Sequence, residues 1–164
     1  MARYRRGLIA RLRASGTDIV WIAELIPSEA TEWSPPEQWS PRQVMLHLRD
    51  IEYGVNLARI QATVLEENPE FPRFDADAWR ASNRPEPQSY EQLVADFAAG
   101  RRALTATLER LDADDWLRPA RTAAFGPATL EILAERAYTH TLDHLQQLIG
   151  LRRAFLRERT RSPA

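Results

Sequence analysis

Ala137-Tyr138-Thr139-His140-Thr141-Leu142-Asp143-His144-Leu145 carries two of the three histidines in a chain of 164 residues. The two lie four residues apart, so on a helix they stand one turn apart on one face. Working outward, Leu130, Leu133, Ala137, His140, His144 and Leu148 follow one another at steps of three and four, the spacing of a core-facing helical stripe. Imidazoles pointing into a core need partners. The third histidine, His47, holds the same kind of position between Val44 and Ile51 on another predicted helix.

Three further stretches repeat the helical pattern. Leu8, Leu12, Ser15, Ile19, Ile22 and Ile26 mark a helix from about Tyr4 to Ile26, ended by Pro27. Ser40-Pro41 with Gln43 is a capping box, and it opens a second helix running to about Glu66 with Val44, His47, Ile51, Val55 and Ala58 as its inner stripe and Leu48 beside it. Gly54 interrupts it and suggests close packing there. Ser89 with Gln92 is a second capping box and opens a third helix to about Leu111, whose stripe Val94, Phe97, Arg101, Leu104, Leu108 and Leu111 contains one charge. The fourth helix is expected from about Ala128 to Leu151, ended or bent at Gly150, with an arginine-rich continuation. Residues 67–88 hold Pro69, Pro72, Pro85 and Pro87 together with Phe71, Phe74 and Trp79. That is too long for a plain loop in a compact domain, and it fits a crossover over the end of a bundle, with a helical turn near Ala76 to Arg80. Ser162 to Ala164 are expected to be disordered. No stretch shows strand-like alternation. The expected architecture is all-α, a four-helix bundle with a long crossover connection between helices two and three, residues 1–164 forming one domain.

Composition narrows the chemistry. There is no cysteine, which excludes disulfides, thiolate nucleophiles and cysteine-ligated zinc. All 22 basic residues are arginine, which excludes Schiff-base chemistry and a P-loop lysine. A net charge of −1 gives no bulk attraction to nucleic acid. Apolar runs are too short to span a bilayer. Five arginines and no acid in the first 17 residues superficially match a transit peptide, but the same residues begin a core stripe, and a cytoplasmic location is expected.

What points to a metal is a conjunction. A single histidine on an apolar face is usually a hydrogen-bonded core residue, and His-x-x-x-His alone says little; Thr141 stands where the metalloprotease form needs glutamate. Here every histidine lies on an inner stripe and two share a turn. His47, His140 and His144 therefore form a candidate three-nitrogen site, which leaves a coordination position for water or substrate, the layout of a catalytic ion. Imidazole ligation suits zinc, nickel, cobalt, copper or iron. Asp50, three residues after His47, and Asp143, three after His140, are candidates to hold a ligand imidazole in its tautomer, with Asp50 preferred. Arg101 must be paired inside its stripe. It is either an anion clamp for a substrate or the partner of an acid such as Glu52, and the ion pair is favoured. The tryptophans and loop aromatics read as core caps.

Trp39-Ser40-Pro41 leading into His47-Leu48-Arg49-Asp50-Ile51-Glu52, then Phe97 with Arg101, Asp115-Trp116, and Gly126 to Leu130 ahead of His140-Thr141-Leu142-Asp143-His144 together resemble the DinB-like (DinB/YfiT) family. The resemblance covers nearly the whole chain. It implies a four-helix bundle with a long crossover after the second helix, often a homodimer, and a divalent metal, commonly nickel or zinc, on residues matching His47, His140 and His144. Some relatives carry a carboxylate at one ligand position, whereas all three are histidine here. It also implies a small-molecule substrate and either metal-dependent hydrolysis or S-transfer with a low-molecular-weight thiol such as mycothiol or bacillithiol. The alternative is a non-catalytic metal-binding or stress-response module in which the ion stabilises the bundle. Neither a nucleic-acid nor a membrane partner is expected.

Overall fold

The computed structural model describes residues 1–81 and 87–161. Pro85 and the expected disorder of Ser162 to Ala164 lie outside them. Helix α1 spans Ala2–Glu24, α2 Pro41–Ile51, a π-helical segment Glu52–Leu57, α3 Ala58–Leu65, the short α4 Ala76–Ala81, α5 Tyr90–Glu109 and α6 Leu130–Arg161. Four long rods result, because α2, the π segment and α3 run on as one. Both capping boxes form. Ser40 Oγ accepts from the Gln43 N–H while Gln43 Oε1 accepts from the Ser40 N–H, and Ser89 and Gln92 repeat the pattern at α5. α6 passes straight through Gly150 and runs for 32 residues. The helical turn expected in the crossover is α4.

α5 and α6 each pack against both α1 and α2, so α1 and α2 face each other across the bundle. The core falls into two apolar halves. Leu12, Leu104, Leu108, Leu130 and Ala134 fill one, and Ile19, Val44, Met45, Leu48, Phe97 and Leu148 the other. Between them on α1, α5 and α6 lie Ser15, Arg101 and Thr141, all buried, and Glu52 joins this layer from the π segment.

The π segment corrects the expected inner stripe of the second helix. Residues five apart on a regular α-helix point about 140° apart. His47, 3% exposed, and Glu52, 1% exposed, are nevertheless both buried, on two sides of a rod that packs against both α5 and α6. Downstream the inner face moves to Ile60 and Thr63, leaving Val55 half-buried and Ala58 exposed. Gly54 does not serve close packing, since a Cβ there would meet nothing. Gly100 does: its Cβ would lie 3.0 Å from Glu52 Cγ and 3.0 Å from a Tyr53 ring carbon.

Three short strands also depart from the all-helical expectation. β1 (Glu70–Phe71) pairs parallel with β2 (Pro119–Thr122), which pairs antiparallel with β3 (Gly126–Thr129). Gly126 takes φ +79° at the β2–β3 turn, where a side chain is disfavoured. This sheet ties the start of the crossover to the α5–α6 connection and covers Leu133 with Phe71, Ala120 and Ala128. No helix among the described residues is long and apolar enough to cross a membrane.

Gly16 lets α1 approach Arg101, whose Cγ would lie 2.6 Å from a Cβ at that position. We predict that Gly16→Ala destabilises the fold by about 1–3 kcal/mol through overpacking. Gly150→Ala, in open space on α6, should instead stabilise it by up to about 1 kcal/mol. Urea unfolding of both variants checks the pair.

Candidate metal centre

His47 is delivered by α2, whose start is set by Ser40 and Pro41; His140 and His144 come one turn apart from α6. The three rings turn their Nε2 atoms toward one another. His47 Nε2 lies 3.2 Å from His140 Nε2, which lies 3.1 Å from His144 Nε2. One ligand atom from each of the three falls within 4.8 Å of the others.

The donor set fits a divalent ion. Metal–nitrogen bonds of about 2.0–2.1 Å at tetrahedral angles separate the nitrogens by about 3.3 Å, close to what is seen. Protonation agrees. Burial first, then the neighbouring imidazoles, pushes His47 down to about 3. His140 is likewise pushed down to about 3 by burial, His144 and the positive charges of Arg136 and Arg101. Burial also lowers His144, opposed by its bond to Gln147 and by Asp143. All three rings are therefore neutral at pH 7. With His144 Nδ1 donating to Gln147 Oε1 at 2.7 Å, the lone pair of His144 Nε2 points inward. A proton on His140 Nε2 satisfies only one of its two neighbours, whereas a cation satisfies all three.

The other predicted residues lie elsewhere. Asp50 does not reach His47. It accepts from Trp79 Nε1 at 2.9 Å and from Arg49 Nε at 2.9 Å, and His47 Nδ1 is buried with no hydrogen-bond partner among the described residues. Asp143 is exposed. Arg101 is no anion clamp. Nε and Nη2 donate to the two Glu52 oxygens at 2.5 and 3.0 Å, Nη1 donates to Leu12 O and Ser15 Oγ, and Nη2 also donates to Thr141 Oγ1. Its five N–H donors all have acceptors inside the protein. The favoured pairing with Glu52 is the one observed.

Two groups of residues escaped the sequence reading. Gln147 stands three residues after His144, the same offset that nominated Asp50 and Asp143, and it alone of the three holds a ligand ring. Trp39, Phe74 and Trp79 form a wall around the histidines. Their ring centres lie 4.9, 5.5 and 5.0 Å from that of His47, and Trp39 is nearly parallel to His144 at 6.3 Å. Only a long-range contact distinguishes such rings from core caps.

The sequence matches the family model of the DinB superfamily over residues 11–148, a span that holds all three histidines. The chain belongs to the DinB superfamily. Among solved structures it is similar to YfiT from Bacillus subtilis, with a TM-score of 0.81 and 20% identity over 94% of this chain and 89% of that one. YfiT is described as a probable metal-dependent hydrolase with an unusual four-helix bundle topology. A DinB-like protein, YjoA, also from Bacillus subtilis, matches with a TM-score of 0.63 and 16% identity over 91% of this chain and 92% of that one. At these identities the two likenesses show the fold, and they agree with the four-rod bundle seen here. Comparison with curated proteins finds no match.

Two outcomes follow for this DinB-superfamily chain. Unfolded, its histidines take up protons below about pH 6.5, whereas His47 and His140 stay neutral in the fold down to about 3. The unfolded state therefore binds more protons in that window, so metal-free protein loses stability as pH falls from about 6.5 toward 3. Urea midpoints at a series of pH values check this, and His47→Leu should flatten the slope. Gln147→Leu should weaken metal binding by about 10–100-fold with the far-UV spectrum unchanged, as removal of a ligand's orienting partner does. Titration with a competing chelator reads that shift.

Proposed function

We propose that this chain is a small metal-dependent enzyme, with His47, His140 and His144 holding one divalent ion and hydrolysis of a small molecule as the best-supported reaction. The observation that carries it is the convergence of three neutral Nε2 atoms at 3.1–3.2 Å spacing. Membership of the DinB superfamily and the description of YfiT as a probable metal-dependent hydrolase support the same reading. Nickel and zinc both suit three imidazoles. A bound divalent ion supplies Lewis acidity, lowering the pKa of a coordinated water or thiol toward neutrality. The chain's own residues prepare the site. Burial keeps the imidazoles unprotonated, Gln147 holds the His144 tautomer, and Trp39, Phe74 and Trp79 limit the water around His47. A cleft of about 320 Å³ opens onto His144 between Glu37, Gln38, Trp39 and Gln147, a size suited to a small molecule.

One observation favours a second reading, S-transfer with an external low-molecular-weight thiol. Hydrolysis commonly uses a general base beside the nucleophile. Asp50 and Glu52, the acids nearest His47 in sequence, are both engaged, by Trp79 and Arg49 and by Arg101 and Asn56. A thiol whose pKa a cation lowers toward neutrality gives its proton to solvent and needs no such base to become the nucleophile.

His47→Ala decides whether the three histidines bind metal. Untagged wild-type protein should carry about one nickel or zinc per chain. The variant should carry almost none, keep its helical spectrum, and lose turnover in screens of small esters, amides and thiol acceptors. Undiminished metal in the variant would sink the assignment. Metal loss accompanied by a large fall in melting temperature, with no turnover in the wild type, would favour a structural ion instead.

A further inference from the structure

We propose that the site selects substrates in which a neutral, flat, aromatic body is carried next to the metal-seeking group, with Trp39 as the residue that reads that body. This rests on the metal-centre reading above and names the substrate class for it. The cleft at His144 has Trp39 as its large apolar wall, and that indole continues through Trp79, 5.3 Å away centre to centre, toward His47. Among the described residues an aromatic ring entering the cleft meets indole, where a polar body has Glu37, Gln38 and Gln147 to bond, and aromatic pairs add attraction beyond the area they bury.

The wall is also fixed in place before a ligand arrives. Trp39 follows Pro35 and Pro36 and precedes the buried cap Ser40, and between them Glu37 is held at φ 61°, a conformation that few non-glycine residues adopt. Preorganisation of this kind lowers the entropy lost on binding.

Charge sets the rest of the preference. Among the described residues the cleft is lined by one charged side chain, the acid Glu37. Three arginines near the histidines are turned to other work: Arg101 to Glu52 and its neighbours, Arg49 to Asp50 and Gln88, and Arg136 over the ring of Phe125. Among the described residues that line the cleft, a carboxylate or phosphate on the body of the ligand finds no counter-charge and meets the acid Glu37, so a neutral ring is preferred to an anionic one.

Hydroxamates test this, because the same chelating head can carry different bodies. Calorimetric titration of nickel- or zinc-loaded protein should show benzohydroxamate binding about tenfold or more tighter than acetohydroxamate, the range expected of one buried ring against indole. 4-Carboxybenzohydroxamate should bind more weakly than benzohydroxamate. Trp39→Ala should reduce the preference for phenyl over methyl, read as the ratio of the two affinities within the variant, to about twofold, and Trp39→Phe should restore most of it. Equal affinities for acetohydroxamate and benzohydroxamate in the wild type, a tighter carboxylate, or a phenyl preference indifferent to Trp39→Ala would each overturn the proposal and leave the metal centre standing. Binding of neither compound to metal-loaded protein would overturn the proposal, whereas failure of the protein to load nickel or zinc would overturn the metal centre on which it rests. The wild-type comparison needs no variant, so a misfolded Trp39→Ala protein does not shield the idea.

Discussion

A single guanidinium ties the four rods together. Arg101 stands on α5, and its donors reach Leu12 and Ser15 on α1, Glu52 in the π segment and Thr141 on α6. At 3% exposure the charge has no water to fall back on. Losing a partner of such a buried pair typically costs about 3–5 kcal/mol, a large share of a domain's stability. Apolar packing tolerates small slips of one helix past another, but five directed hydrogen bonds do not. The apolar halves on either side supply the driving force for collapse, and the polar layer between them selects one register.

That register is what brings the histidines together. Thr141, bonded to Arg101, is flanked by His140 and three residues from His144. Glu52, bonded to the same guanidinium, lies five residues beyond His47, where the π segment begins. The polar layer thus grips both histidine-bearing rods within a turn and a half of their imidazoles. Gly16 and Gly100 belong to the same device: one makes room for the arginine stem, the other for Glu52 and Tyr53.

Much of this was legible in the residues, and the remainder had a physical reason to be hidden. Ser40 and Ser89 announced two helix starts because capping is local chemistry between residues three apart. His140 and His144 announced a shared face because helical geometry is local too. The π segment was not legible, since nothing in Glu52–Leu57 prefers a wide turn. Its consequence shows only in the fold, where Ile60 and Thr63 rather than Val55 and Ala58 reach the core. The three strands hold two to four residues each, too few to display a period, and the pairing of β1 with β2 joins segments some fifty residues apart. Trp39, Phe74 and Trp79 read as caps because an aromatic facing a core and one facing a site have the same sequence signature. Asp50 was nominated by an offset that is sound for helices, but Trp79 and Arg49 took it instead.

The spacing of the ligands along the chain sets an order of events during synthesis. His47 is made early, and its partner His140 follows 93 residues later. Until α6 has left the ribosome and docked, a nascent chain offers one imidazole, and closing so long a loop around a cation has a heavy entropic penalty. Any ion these three histidines hold is therefore taken up late, once α6 has docked and brought His140 and His144 to His47.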